Sequence, residues 1–236
     1  MNNKGFKIET VRKVVGQLKE EIAKQKEQIT FGNIPSIVIS SGNSKIGKCI
    51  NVSLAPIITC GNCKECKCFC YDVKACLQYK NVRAARATNT ALFMYSRDEF
   101  FRQLHEKMKK QKGNKFLRFH VSGEIIDLDH FSRMVETAKA FPDFKIWTYT
   151  KMYHIVNEYI RIHGGNKNCI PKNFSVMFSE WKGLPIVNPY NMPTFRCVYP
   201  EEQKPVNAMH CPGNCDICKY NNVGCVVGMS CYVDLH

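Results

Sequence analysis

The sequence predicts an α/β protein: a parallel sheet with right-handed crossovers, closing as a partial barrel or remaining open. A helix precedes it and a cysteine-rich segment follows it. Three observations carry this reading. Strand-like and helix-like runs alternate from Ser36 to Tyr199, the pattern of parallel strands joined by helical crossovers. The four or five units this gives are too few for a full eight-stranded barrel. The third is cysteine placement: most of the 14 cysteines fall in two clusters, Cys60–Cys76 and Cys211–Cys231, with most of the alternating region between them. A chain of 236 residues with 44% hydrophobic content buries a core without disulfides, so these thiols need another explanation.

The elements follow in order. Residues 1–31 form an amphipathic helix: Val11, Val14, Val15, Leu18 and Ile22 recur at helical spacing, with charged residues between them. It is expected to be a peripheral helix, with an oligomerisation arm as the alternative. Residues 32–200 form the α/β domain. Gly32–Pro35 breaks the helix, then Ser36–Ser40 and Cys49–Ala55 read as two short strands around the turn Ser41–Lys48. Cys49, inside a strand, reads as a small buried residue.

After the first cysteine cluster, Lys80–Lys110 reads as one helix and Lys115–Val121 as a strand leading into Ser122-Gly123-Glu124. Asp127–Phe141 is a helix with Asp127 or Asp129 as its cap. A strand at Lys145–Thr150, a helix at His154–Ile162 ended by Gly164-Gly165, and strands at Phe174–Phe178 and Phe195–Tyr199 complete it. Residues 201–236 form the cysteine-rich C-terminal segment. In sheets of this kind functional groups lie at the carboxyl ends of strands. That rule selects the first cysteine loop, Gly123-Glu124, Thr150-Lys151 and Glu180-Trp181.

The net charge of +14 makes a polyanion, nucleic acid first, a plausible partner, although no helix-turn-helix or RNP-type motif accompanies it. No secretory signal is visible, and no run reaches the ~18–20 apolar residues of a membrane span. The expected location is the cytoplasm, where clustered cysteines serve metal or redox chemistry more often than disulfides. The oligomeric state is not legible.

Thiols as dense as Cys60, Cys63, Cys66, Cys68, Cys70 and Cys76 suit a soft metal, either tetrahedral zinc or an iron–sulfur cluster. Cys60, Cys66 and Cys70 span the loop and are the candidate ligands of a cluster with one open iron. Cys63, Cys68 and Cys76 are the substitutes. In the second cluster Cys211, Cys215, Cys218 and Cys225 are the candidate ligands of a closed site, zinc or 4Fe–4S. His210 and His236 read as surface histidines. Gly123 permits close backbone approach, Glu124 is placed to bind an amine or act as a base, and Thr148, Tyr149, Thr150 and Lys151 are candidates for phosphate, carboxylate or backbone recognition. Trp181 either stacks on a base or fills the core.

From Gly42 to His236 the chain resembles the phage-associated gene-product-88 family. The resemblance rests on GNSKIGK, on Cys60, Cys66 and Cys70-Tyr71, on YKNVRAARATN, FHVSGEIID, WTYTK and NPYNMP, and on CPGNCDIC with Cys225. It implies a phage or mobile-element context and no particular reaction.

A looser likeness is to radical S-adenosylmethionine enzymes, which have a partial (β/α) barrel, a three-cysteine loop after the first strand and a Gly-Gly-Glu motif after the second. That likeness implies a 4Fe–4S cluster on Cys60, Cys66 and Cys70. It implies S-adenosylmethionine held by Ser122, Gly123, Glu124 and Thr150, with Glu124 and Lys151 as catalytic candidates, and an auxiliary cluster on Cys211, Cys215, Cys218 and Cys225. The CxxxCxxC spacing typical of those enzymes occurs here at Cys211, Cys215 and Cys218 and not in the first loop. The function expected is an iron–sulfur enzyme acting on a nucleic acid or nucleotide. The alternative is a non-catalytic nucleic-acid-binding module stiffened by iron–sulfur clusters or zinc.

Overall fold

The computed structural model describes residues 5–61, 66–113 and 115–234. It is a mixed α/β structure with eight strands and seven α-helices among these residues, divided into two compact units. The first unit comprises Met1–Ser40, Val52–Lys112 and His120–Glu124; the second comprises Ser41–Asn51, Gly113–Phe119 and Ile125–His236.

The first unit is helical. α1 (Ile8–Thr30) buries Val11, Val14, Leu18 and Ile22, one stripe along the helix. α2 (Tyr71–Gln78) and α3 (Lys80–Tyr95) supply Val73, Cys76, Ala87 and Ala91 to the same core. The small alanines let α1 and α3 approach closely, and Arg83 on α3 donates to Glu21 on α1 at 2.7 Å. α1 is therefore part of a core.

Two expectations need correction here. The single helix over Lys80–Lys110 is broken at Ser96 (φ −153°, ψ 60°), and α4 (Arg97–Lys109) starts in a new direction. Phe93, Phe100 and Phe101 pack edge to face across the break, with ring centroids 5.3–6.4 Å apart. Ser36–Ile39 is not a strand, although its composition is β-like. Its backbone is satisfied by side-chain amides: the Val38 N–H donates to Asn89 Oδ1 and the Asn89 amide donates back to Val38 O, each at 2.8 Å. The Ile37 N–H donates to Gln103 Oε1 at 2.6 Å.

The sheet belongs to the second unit, apart from Ser40 and Val52 at two strand ends. Its strands are β1 (Ser40–Asn43), β2 (Gly47–Val52), β3 (Phe116–Phe119), β4 (Lys145–Thr150), β5 (Phe174–Glu180), β6 (Thr194–Val198), β7 (Met209–His210) and β8 (Cys231–Asp234). Their order is β1-β2-β3-β4-β5-β6-β8-β7, and from β3 onward every pairing is parallel. α5 (Leu128–Ala140), capped by Asp127, and α6 (Tyr153–Ile162) are the crossovers from β3 to β4 and from β4 to β5.

These two helices cover one face, where Phe119, Phe174 and Phe178 meet Phe131, Tyr153 and Tyr159. Side chains alternate along a strand, so Lys145, Trp147 and Tyr149 point to the other face. The C-terminal segment packs there: Lys145 Nζ donates to Asn222 Oδ1 at 2.6 Å, and Ser175 Oγ donates to Val226 O at 3.1 Å. α7 (Cys215–Asn221), β7 and β8 all come from residues 201–236, and the last two extend the sheet. No helix among the described residues is long and apolar enough to cross a membrane.

Candidate metal centre

The five C-terminal cysteines converge on the face of the sheet opposite α5 and α6. Asn214 caps α7 by accepting from Asp216 N–H, and α7 carries Cys215 and Cys218 three residues apart on one side. Asn222, left-handed at φ 54°, ends the helix and turns the chain back. Cys225 then sits on a single 3₁₀ turn (Gly224–Val227), and Cys231 opens β8.

Cys225 is the hub. The Tyr149 hydroxyl donates to its sulfur at 2.8 Å, the Cys231 thiol hydrogen-bonds to it, and the Arg118 guanidinium lies 4.8 Å above the Tyr149 ring. The hydrogen bond from Cys231, the one from Tyr149 and the Arg118 charge together outweigh burial and pull the Cys225 thiol down to about 6. Its neighbours respond oppositely. Burial, then the Cys225 charge, pushes Cys215 up to about 11, and burial raises Cys218. Cys211 interacts electrostatically with Cys215, Cys218 and Cys231, which completes the group.

This donor set fits a soft metal or an iron–sulfur cluster, whose bound cations stabilise several thiolates that otherwise repel one another. One buried group on the same face of β4 is left without a partner. Trp147 lies on β4 between Lys145 and Tyr149, fully buried beneath this segment, and its indole N–H has no acceptor among the described residues. A buried donor without a partner is uncommon and marks this face of β4 as incompletely satisfied. Among the described residues, no three His, Cys, Asp or Glu side chains stand in closed metal-coordinating geometry. No disulfide joins any of the described cysteines.

The segment is anchored to the β1–β2 turn. The Cys215 N–H donates to Lys45 O at 2.7 Å. Lys219, with its side chain 1% exposed, donates to Lys48 O at 3.0 Å, pairs with Asp216 at 2.7 Å and lies 5.1 Å from the Phe116 ring centroid. The Asp216 carboxylate rests on Gly47, where a Cβ would be 1.9 Å from its oxygen. The motifs GNSKIGK and CPGNCDIC, some 170 residues apart, are thus two halves of one contact. Cys49 is buried as expected, beside Asn51.

The first cluster is organised differently. Residues 62–65, including Cys63, lie outside the described residues. Cys60, Cys66, Cys68 and Cys70 are half-buried. Cys70 precedes α2, where the backbone N–H groups of Val73 and Asp72 favour its thiolate without capping the helix. Burial nonetheless holds its thiol up at about 11, and Cys60 is close enough to raise it further. Cys76 has a different environment: it is fully buried in the α1–α2–α3 core and donates to Asp72 Oδ2 at 3.8 Å, while Arg86 grips the Asp72 carboxylate with two 3.0 Å bonds.

Leading into Cys60, Pro56-Ile57-Ile58 is a three-residue turn. Ile57 has a φ of 66° and the Ile58 N–H reaches Pro56 O at 2.7 Å. A β-branched residue with positive φ is strained, and such strain accumulates at functional sites.

Ser122-Gly123-Glu124 packs against this same run. The Leu54 N–H donates to Ser122 O and Ser122 Oγ donates back to Leu54 O, both at 3.0 Å. A Cβ on Gly123 would lie 2.7 Å from Leu54 Cβ and 2.8 Å from Thr59 Oγ1, so the close approach requires glycine. Glu124 is 7% exposed. In the second unit, Thr150 Oγ1 accepts from the Met152 N–H at the start of α6, and Lys151 Nζ lies 5.3 Å from the Trp181 ring centroid. His210 is surface-exposed as expected, pairing with Asp234 at 3.2 Å, whereas His236 lies outside the described residues.

The sequence reading passed over Trp147 and Arg118, and assigned Tyr149 to general polar recognition. Period-two alternation in KIWTYT puts Trp147 and Tyr149 on one face, a legible signal. What that face meets depends on the fold.

Fold and site together define a mixed α/β protein with two thiol-rich sites, one of them built onto its sheet. The chain belongs to the Gene product 88 family, whose profile matches residues 17–183. No curated protein and no solved structure matches it. The likeness to radical S-adenosylmethionine enzymes gains no support from these comparisons.

Proposed function

We propose that this chain is an iron–sulfur protein whose C-terminal cluster is held by Cys211, Cys215, Cys218 and Cys225. The observation that carries the proposal is the meeting of five buried or half-buried thiols around Cys225, beneath the Tyr149 hydroxyl. Cys231 and Tyr149 supply hydrogen bonds to the Cys225 sulfur, the outer-shell role that tunes such centres.

The finer reading is a partial (β/α) barrel of the radical S-adenosylmethionine type. Its support is local. The strands from β3 to β6 are parallel in chain order, the first cysteine loop follows β2, and Ser122-Gly123-Glu124 follows β3, wedged against the run into Cys60. In this reading Cys60, Cys66 and Cys70 hold a cluster with one open iron, and Ser122, Gly123 and Glu124 bind the amino group of S-adenosylmethionine. Such a cluster, when bound and reduced, supplies the electron that cleaves S-adenosylmethionine. Glu124 orients the cofactor as a buried carboxylate, and Gly123 lets the backbone approach it.

The test is cleavage of S-adenosylmethionine to 5′-deoxyadenosine by the reduced, anaerobic protein. The wild type is expected to cleave it, and Glu124→Ala is expected to retain its iron and lose cleavage. Iron without cleavage in the wild type would overturn the finer reading and leave a metal-stiffened binding module.

The net charge of +14 favours a nucleic acid or nucleotide as the partner in either case. Binding to a single-stranded oligonucleotide should then weaken by about tenfold or more between ~50 and ~200 mM salt. An affinity flat across that range would remove nucleic acid from the account.

A further inference from the structure

Among the described residues, no helix beyond α6 packs on the sheet face that carries Glu180 and Arg196. These residues are direct register partners on neighbouring parallel strands β5 and β6. Oppositely charged cross-strand neighbours ordinarily close into an ion pair. These two do not. Among the described residues nothing hydrogen-bonds to the half-buried Glu180 carboxyl, and the closest anion to the Arg196 guanidinium is Glu202 at 3.6 Å. Burial raises the Glu180 carboxyl above its ordinary range, and the Arg196 charge pulls it back, so the two groups influence each other across a gap.

The gap is part of a pair of clefts. One of about 280 Å³ is bounded by Trp181, Cys197 and Glu202, and one of about 290 Å³ by Thr194, Asn207 and Ser230. Glu180 and Arg196 line both. Each volume lies just below the ~300–1,000 Å³ range of ligand pockets, a size for a small metabolite and not for a polymer. The surrounding charges largely cancel, since Lys182 pairs with Glu201 at 2.6 Å and Lys204 with Asp234 at 3.3 Å.

We propose that the Glu180–Arg196 cleft binds a small zwitterion of the free amino acid class, its carboxylate on the Arg196 guanidinium and its ammonium on the Glu180 carboxylate. A simple anion at Arg196 would face the Glu180 charge, and a simple cation at Glu180 would face Arg196. A ligand carrying both charges satisfies the two half-buried groups at once, and the planar fork of arginine suits a carboxylate. None of the proposed ligands Cys211, Cys215, Cys218 and Cys225 lines either cleft, although Cys231, the neighbour of Cys225, borders the second.

The experiment uses the full-length protein as purified. Each of the twenty common amino acids is screened at millimolar concentration by thermal shift, and the best binder is titrated calorimetrically beside acetate, ethylammonium and inorganic phosphate. At least one amino acid should bind about tenfold or more tightly than acetate or ethylammonium. Arg196→Gln and Glu180→Gln should each weaken it by about tenfold or more. Glu202→Gln, which removes the carboxylate 3.6 Å from the Arg196 guanidinium, should bind it at least as tightly as wild type, and all three variants should melt near the wild-type temperature because the residues are only half-buried. The proposal is overturned if no amino acid binds, if acetate or phosphate binds as tightly as the best amino acid, or if Glu180→Gln binds it as wild type does.

Discussion

Replacing Cys225 by serine should remove one whole cluster, lowering the iron content from about eight to about four atoms per chain. Cys225 is where the C-terminal centre is held together. It receives hydrogen bonds from Tyr149 and Cys231, and it packs with Met177 and Cys231 against Tyr149, Phe195 and Met209. Serine keeps the size but is a poor ligand for iron, and its loss leaves Cys211, Cys215 and Cys218 without a fourth partner. Cys49→Ser is the control: Cys49 is as buried and sits beside Asn51, near Lys219 and Arg118, but interacts with none of the C-terminal thiols, so its loss should leave iron unchanged. Iron and acid-labile sulfide assays on both variants, purified anaerobically, read the result. Equal iron in Cys225→Ser and wild type would remove this residue from the ligand set.

Gly42→Ala should lower stability by about 2–4 kcal/mol, measured as the shift in denaturant midpoint with an unchanged slope. Gly42 has a φ of 102°, and a Cβ there would lie 1.8 Å from the carbonyl oxygen of Gly47. That oxygen belongs to backbone, so the strands β1 and β2 must move apart. The displacement reaches the cysteine segment because Asp216 rests on Gly47 and Cys215 N–H is bonded to Lys45 O. Weakened cluster retention on dilution into chelator is therefore expected together with the lost stability. Gly16→Ala, in the middle of α1 with open space around it, should be neutral or slightly stabilising.

Much of the fold was legible because the periodicities are strong. The stripe Val11, Val14, Leu18 and Ile22 could only be a helix, and KIWTYT matched β4 residue for residue. Asp127 was readable as a cap because it precedes an apolar helical run, and its carboxylate accepts from the His130 N–H.

The misses have physical causes. Ser36–Ile39 has strand composition, but Asn89 and Gln103, more than 50 residues away, supply its hydrogen bonds. The break at Ser96 has no glycine or proline to announce it; packing of Phe93, Phe100 and Phe101 sets it. β7 and β8 are two and four residues long and carry no alternation long enough to read. The candidate ligands were legible as thiols, because density alone marks them. Their surroundings were not: Tyr149 reaches Cys225 across 76 residues of sequence, and only the sheet brings them together.

The most direct measurement is metal analysis of the anaerobically purified wild-type protein, with iron, acid-labile sulfide and zinc counted in one preparation and EPR recorded after reduction. The account predicts about eight irons and about eight sulfides per chain, with the EPR signals of reduced 4Fe–4S clusters. Stoichiometric zinc with neither iron nor sulfide, in protein that is folded and full length, would contradict it.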